Sequence, residues 1–124
     1  MCLLEDNVYV ADSSIEDAGL GVFTKTDVKK GEIVCVSLAL RVPEMCATDN
    51  ILETYVYPSL YTYESLIALG ACSFFNNGGP NALIEIDHYN DTHCLVTCVA
   101  LRDIQEGEEV LIDYDSLEGE TESE

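Results

Sequence analysis

The sequence has few basic residues. Five Lys and Arg stand against 24 Asp and Glu, which gives a formal net charge of -19. Proteins that bind nucleic acid rely on Lys and Arg to displace counterions from phosphates. The shortage therefore argues against direct nucleic-acid binding, and a basic protein or peptide is the natural electrostatic complement. Solubility, or life at high salt, explains the acidity equally well.

The sequence also lacks a long apolar run. Polar residues interrupt every such stretch well before the roughly 20 positions needed to cross a bilayer. The first residues carry no basic lead and no signal-like apolar core. These features predict a cytoplasmic or nuclear protein that is not secreted and has no membrane partner.

No two of the six cysteines form a CxxC pair, and their spacing from His88 and His93 matches no common zinc pattern. Without a secretory signal, thiols are favoured over a disulfide framework. On a strand, Cys94, Val96 and Cys98 would share one face, as small buried residues do. The sequence therefore predicts no metal site, and it predicts a buried role for these cysteines.

Short β-prone runs punctuated by glycine dominate the chain, whose 124 residues suit one domain. The longest run, residues 32–42, ends at Pro43. Gly31 and Gly107 each precede such a run in a charged turn, so both are predicted to have positive φ.

The middle of the chain has a different pattern. Residues 64–69, followed by Gly70, are predicted to form a short helix with a glycine stop. The whole pattern predicts one mainly β domain over residues 1–115 with a small helical insert. Residues 116–124 are acidic and are predicted to be a disordered tail.

Three blocks of sequence, in this order, resemble the motifs of SET-domain lysine methyltransferases. The first is a GxG turn at residues 19–21, followed by a Lys-Gly-Glu turn at residues 30–32. The second is Phe75-Asn76 followed by Pro80-Asn81-Ala82, which is similar to the family's Asn-His-Ser-x-x-Pro-Asn core. The third, residues 107–114, resembles the family's Gly-Glu-Glu-Leu-x-x-x-Tyr ending.

The resemblance implies a SET-domain β-clip of small curled sheets. It implies that the segment around Tyr114 threads beneath the 75–81 loop in a C-terminal pseudoknot. It also implies S-adenosyl-L-methionine bound on one face, with a lysine side chain entering a narrow channel from the opposite face.

By the same resemblance, Tyr114 is the candidate catalytic residue, because a phenol oxygen aimed at the methyl group stabilises positive charge moving from sulfur to nitrogen. A dry aromatic channel disfavours the ammonium form of lysine by desolvation, which favours the neutral amine that the reaction needs. The candidates for cofactor binding are Gly19, Leu20, Gly21, Asn76 and Asn77.

The candidates for the substrate channel are Tyr55, Tyr57 and Ile112. Packing in the core explains the two tyrosines equally well. Ile112 lies two residues before Tyr114 and has no hydroxyl that could hold a water there. Multiple methylation of the lysine is therefore expected.

Two functions follow from the resemblance. One is methyl transfer to a lysine of a basic protein, such as a histone tail or a ribosomal protein. The other is a catalytically silent SET-like module that binds basic proteins, since Asn77-Gly78-Gly79 replaces the family's histidine segment. Only an acidic tail follows Tyr114, so either the tail or a second subunit in a homodimer is expected to close the channel.

Overall fold

The structure is a computed structural model, and it describes residues 6–47, 56–58 and 63–114. Tyr55 and the predicted tail at residues 116–124 lie outside this part of the chain. Within the described residues, no helix has the length and apolar character that crossing a membrane requires.

The described part of the chain forms nine strands in three sheets. A hairpin of β1 and β2, a five-stranded sheet in the order β4-β5-β3-β8-β7, and a two-stranded parallel pair of β6 and β9 make up the fold. The strands are β1 (Val8–Asp12), β2 (Leu20–Thr24), β3 (Ile33–Pro43), β4 (Val56–Pro58), β5 (Glu64–Leu69), β6 (Asn76–Asn77), β7 (Ala82–His88), β8 (His93–Ala100) and β9 (Leu111–Ile112). The prediction of a mainly β protein is confirmed.

One face of the five-stranded sheet forms the core, and strand β8 shows this clearly. Every second residue of β8 is buried, as the period of a strand requires. Cys94, Val96 and Cys98 are each 0% exposed on that face. The predicted role of these cysteines as small buried residues is confirmed.

The predicted helix at residues 64–69 is wrong, because this segment is strand β5. It pairs antiparallel with β3 on one side and with β4 on the other. Leu66 and Ala68 are buried while Ile67 is only half-buried, which is the alternation of a strand. Six residues are too few for a stable isolated helix, so pairing with two neighbouring strands overrides local propensity. Short 3-10 turns lie at Glu44–Ala47 and Ala71–Ser73, and Tyr114, the last described residue, has helical structure.

The C-terminal segment pairs with β2 through backbone hydrogen bonds before it forms strand β9. The Gly107 N–H donates to the Thr24 carbonyl at 2.8 Å, and the Val110 N–H donates to the Val22 carbonyl at 2.8 Å. Gly107 has a φ of 82°, as its turn position predicted. This pairing fixes the direction in which the chain enters β9.

One loop then holds β9 by both of its edges. The Leu111 N–H donates to Asn81 Oδ1 at 2.9 Å, and the Leu111 carbonyl accepts from the Asn81 N–H at 3.1 Å. On the opposite edge, the Ile112 carbonyl accepts from the Gly78 N–H at 3.2 Å. Successive residues of a strand direct their backbone groups to opposite edges, so the 76–81 loop passes around β9. The arrangement matches the predicted pseudoknot, a rare exception to unthreaded chain topology.

Candidate active site

The GxG turn and the Asn76 loop, which are far apart in sequence, meet at the start of β2. The Asn76 Nδ2 donates to the Leu20 carbonyl at 2.9 Å. Gly19 precedes this contact with a φ of 78°, and a Cβ on Gly21 would lie 3.2 Å from the Asn76 Nδ2. Four of the five candidates for cofactor binding therefore lie in one cluster.

Glu109 is the centre of this cluster, although it was not among the predicted site residues. It is only 7% exposed. Its carboxylate accepts from the Ser13 hydroxyl at 2.8 and 3.0 Å, from the Ser14 N–H at 2.9 Å, and from the Ser14 hydroxyl at 2.6 Å. It also accepts from the Asn76 Nδ2 at 3.0 Å. The signal that could have revealed it is a carboxylate directly before the apolar run of residues 110–112.

The charge state of Glu109 reflects two opposing effects. Burial raises the pKa of the carboxyl group, because it disfavours the charged form. The hydrogen bonds from Ser14, Asn76 and Ser13 lower it by more, so the pKa lies below its ordinary value. Glu109 is therefore an anion at neutral pH, and hydroxyl, amide and backbone donors surround it.

Tyr114 lies against the same loop. Its hydroxyl donates to the Phe75 carbonyl at 2.7 Å, and its backbone N–H donates to Asn77 Oδ1 at 2.7 Å. Burial of the phenol raises the pKa of Tyr114, so the hydroxyl stays protonated at neutral pH. Asn77, the fifth candidate for cofactor binding, thus contacts the backbone of the candidate catalytic residue.

The two channel candidates that lie within the described residues, Tyr57 and Ile112, are more deeply buried than Tyr114. Tyr57 is buried, and its hydroxyl donates to the Cys72 carbonyl at 2.6 Å. Burial raises the pKa of Tyr57 well above its ordinary value, and the neighbouring Cys72 thiol adds to this effect. Ile112 is 1% exposed and packs in the core cluster. Tyr57 and Tyr114 therefore donate to two carbonyls of the same short segment, residues 72–75.

Asn81 is a second residue whose role the sequence did not reveal. It is 1% exposed, and its side chain bonds to the C-terminal segment at both ends. Its Nδ2 donates to the Glu109 carbonyl at 2.8 Å while its Oδ1 accepts from the Leu111 N–H. Asn81 belongs to the Pro-Asn-Ala block of the motif, which could have drawn attention to it. The motif does not, however, indicate which residues Asn81 contacts.

The comparisons with known proteins identify the family. The family model described as the SET domain matches residues 19–115. The chain therefore belongs to the SET domain family, whose members are generally methyltransferases that use S-adenosylmethionine. No curated protein shows significant sequence similarity to the chain.

Solved structures show the same fold. A candidate histone methyltransferase of Plasmodium falciparum has a TM-score of 0.70 and 28% identity, covering 90% of this chain and 95% of that one. A ctPRC2 structure bound to S-adenosylmethionine has a TM-score of 0.71 and 19% identity, covering 89% of this chain. A Chaetomium thermophilum Polycomb Repressive Complex 2 mutant bound to the inhibitor GSK343 has a TM-score of 0.72 and 18% identity, again covering 89%. The chain spans only 15% of each of these two longer proteins.

Proposed function

We propose that this protein transfers a methyl group from S-adenosyl-L-methionine to a lysine side chain of a basic protein, such as a histone tail. The observation that carries the proposal is the position of Tyr114. Tyr114 lies two residues after the end of β9, and its hydroxyl donates to the Phe75 carbonyl, one residue before Asn76. The catalytic candidate and the candidate cofactor cluster are thus neighbours.

The residues of the cluster suit this cofactor. The Leu20 carbonyl and the Asn76 carboxamide are oxygen acceptors of the kind that an amino acid's ammonium group needs. Leu20 is 46% exposed and Asn76 is half-buried, so the cluster is open to a ligand. When bound, the cofactor supplies an electrophilic methyl group on a sulfonium.

The phenol of Tyr114 has a defined role in this proposal. Its proton is engaged by the Phe75 carbonyl, so the lone pairs of the phenol oxygen face elsewhere. An oxygen that carries lone pairs stabilises the positive charge that moves toward the amine nitrogen in the transition state. The attacking lysine must be neutral, and the raised pKa of Tyr114 means that the tyrosine does not serve as the base at neutral pH.

The acidity of the chain supports a basic substrate. A net charge of -19 creates a field that attracts cationic peptides and raises their rate of encounter. The alternative of a silent module depended on Asn77 replacing histidine. The Asn77 carboxamide holds the backbone of Tyr114, which supports an active site rather than a degenerate one.

The test has two stages. Calorimetric titration with S-adenosylmethionine should detect binding, and labelled methyl transfer to a mixture of basic proteins should follow. Tyr114→Phe is expected to reduce the rate by about a hundredfold or more, the usual cost of removing a group that stabilises transition-state charge. Tyr63→Phe is the matched control, because Tyr63 is 81% exposed.

Two results would contradict the proposal. Absence of binding at millimolar cofactor would remove both the cofactor and the reaction. Full activity of Tyr114→Phe would show that the tyrosine has no part in the chemistry.

A further inference from the structure

We propose that Glu109 is a positioning residue, which holds Asn76 and the Leu20-Gly21 turn in the geometry that binds the cofactor. This inference rests on the proposed function, and it assigns a role to a residue that does not itself contact the reacting atoms. It concerns how three separate segments, residues 13–14, 20–21 and 76, are held together.

The hydrogen bonds of Glu109 connect these segments directly. Its carboxylate accepts from the Ser13 and Ser14 hydroxyls and from the Ser14 N–H, which lie 95 and 96 positions earlier in the chain. Its Oε2 also accepts from the Asn76 Nδ2 at 3.0 Å. A buried carboxylate that accepts from these four donors is more strongly held than a neutral amide would be, because bonds to a charged group are roughly twice as strong.

The same bonds fix the orientation of the Asn76 carboxamide. Its Nδ2 donates both to Glu109 and to the Leu20 carbonyl. Its Oδ1 is therefore the end that remains to accept a hydrogen bond from a ligand. With Glu109 neutralised, the carboxamide would lose the charged one of its two acceptors and keep only the Leu20 carbonyl, so its orientation would be less firmly fixed.

Gly21 provides an independent steric argument. A Cβ at this position would overlap the Glu109 Oε2, and it would lie 3.0 Å from the Glu109 Cδ. The missing side chain therefore makes room for the carboxylate to reach Asn76. The GxG turn and Glu109 are thus coupled, and a change at one should alter the effect of a change at the other.

Within the described residues, Glu109 accepts only from neutral donors and makes no ion pair. Glu109→Gln consequently keeps the shape of the side chain while it removes the charge and turns one acceptor into a donor. Glu108→Gln is the matched control on the adjacent residue. Glu108 contacts none of Ser13, Ser14 and Asn76 in the described structure. It accepts from Arg102 at 2.6 Å, from the Gln105 N–H at 3.0 Å and from Asn81 Nδ2 at 3.5 Å.

The experiment measures the Kd for S-adenosylmethionine by calorimetry and kcat at saturating cofactor with a basic protein acceptor. Glu109→Gln should weaken cofactor binding by about tenfold or more, the equivalent of one lost charge-assisted hydrogen bond. Its kcat should change little, because Tyr114 keeps both of its own contacts. Glu108→Gln should bind the cofactor as the unmodified protein does. An unchanged Kd in Glu109→Gln, or a loss confined to kcat, would overturn the inference.

A double-mutant comparison with Gly21 distinguishes the positioning role of Glu109 from a general structural defect. Gly21→Ala should weaken cofactor binding strongly in the unmodified protein, because the added Cβ displaces the carboxylate that holds Asn76. It should weaken binding much less in the Glu109→Gln background, where that hold on Asn76 is already weakened. Strictly additive losses in Kd would mean that Gly21 and Glu109 act independently, against the inference. If Glu109→Gln does not fold, the double change Ser13→Ala and Ser14→Ala removes donors from the same carboxylate, and it should weaken binding several-fold. Unchanged binding by that variant would overturn the inference.

Nuclear magnetic resonance distinguishes failure of this inference from failure of the proposed function. The side-chain amide protons of Asn76 should exchange slowly with water in the unmodified protein and faster in Glu109→Gln. If the unmodified protein does not bind S-adenosylmethionine, lysine methylation is refuted, and this exchange alone decides whether Glu109 holds Asn76. Equal exchange in the two proteins would refute the positioning role.

Discussion

The 76–81 loop bonds to both edges of β9 and is called the clasp here, and Asn81→Ala tests it most directly. The Asn81 side chain is 1% exposed, and it makes one hydrogen bond to the Glu109 carbonyl, just before β9, and one to the Leu111 N–H of β9. Alanine would leave the Glu109 carbonyl without its donor at 2.8 Å and the Leu111 N–H without its acceptor at 2.9 Å. The alanine backbone can still bond to Leu111 and Leu101, so the loop itself has no reason to rearrange.

The expected loss follows from the burial of the two orphaned groups. Each buried backbone group without a partner costs about 1–3 kcal/mol, so the change should lower the free energy of unfolding by about 2–6 kcal/mol. A domain of this size has about 5–15 kcal/mol in total, so the loss is a large fraction of its stability. With a urea slope of about 2 kcal/mol/M, the midpoint of unfolding should fall by about 1–3 M.

Urea denaturation followed by circular dichroism measures this loss, and Asn90→Ala supplies the control. Asn90 Oδ1 accepts three hydrogen bonds, from the Thr92 N–H and hydroxyl and from the His93 N–H, at 2.8–3.0 Å. Asn90 is exposed, so water can replace these bonds and the loss should stay below about 1 kcal/mol. Equal losses in the two variants, or a loss below about 1 kcal/mol in Asn81→Ala, would refute the clasp.

Two further predictions concern the proposed reaction. The value of kcat/KM for a lysine peptide should rise about tenfold per pH unit between pH 7 and 9, because free lysine has a pKa of about 10.4 and must lose its proton. Burial raises the pKa of Tyr114, so its phenol stays protonated over this range, and a falling limb that begins near pH 8 would contradict its assignment. Mass spectrometry of the product should show dimethyl- and trimethyl-lysine, since Ile112 offers no hydroxyl to hold a water, and a product that stops at monomethyl-lysine would contradict this.

The sequence predicted the strands well where a single strand has its own alternating pattern. Strand β8 and the turn at Gly107 need only local information, namely a period of two and a glycine before a β-prone run. Strand β5 was wrongly predicted to be a helix, because its conformation does not depend on local sequence alone. Its neighbours β3 and β4 decide its conformation, and their pairing with it is not visible within residues 64–69.

In the candidate site too, features that depend on local sequence were predicted and features that depend on distant contacts were not. The motifs placed Tyr114, Asn76 and the GxG turn on the list of candidates, because each has a residue type suited to a known role. Glu109 and Asn81 act through partners that are 28 to 96 positions away. A motif gives the spacing of such residues but not the donor that each one meets, so only the folded chain could assign them.

The altered segment at Asn77-Gly78-Gly79 shows why a departure from a motif has to be judged by its contacts. Asn77 Oδ1 accepts from the Tyr114 N–H, and the Gly78 N–H donates to the Ile112 carbonyl. A Cβ on Gly78 would lie only 2.9 Å from Leu111 Cδ1, so glycine lets this loop pack closely against β9. The short carboxamide of Asn77 and the missing side chain of Gly78 both let the loop pack closely against β9 and the Tyr114 backbone that follows it. The change from histidine therefore gives no reason by itself to expect a silent module, and the activity of Tyr114→Phe relative to Tyr63→Phe becomes the measurement that separates the two functions.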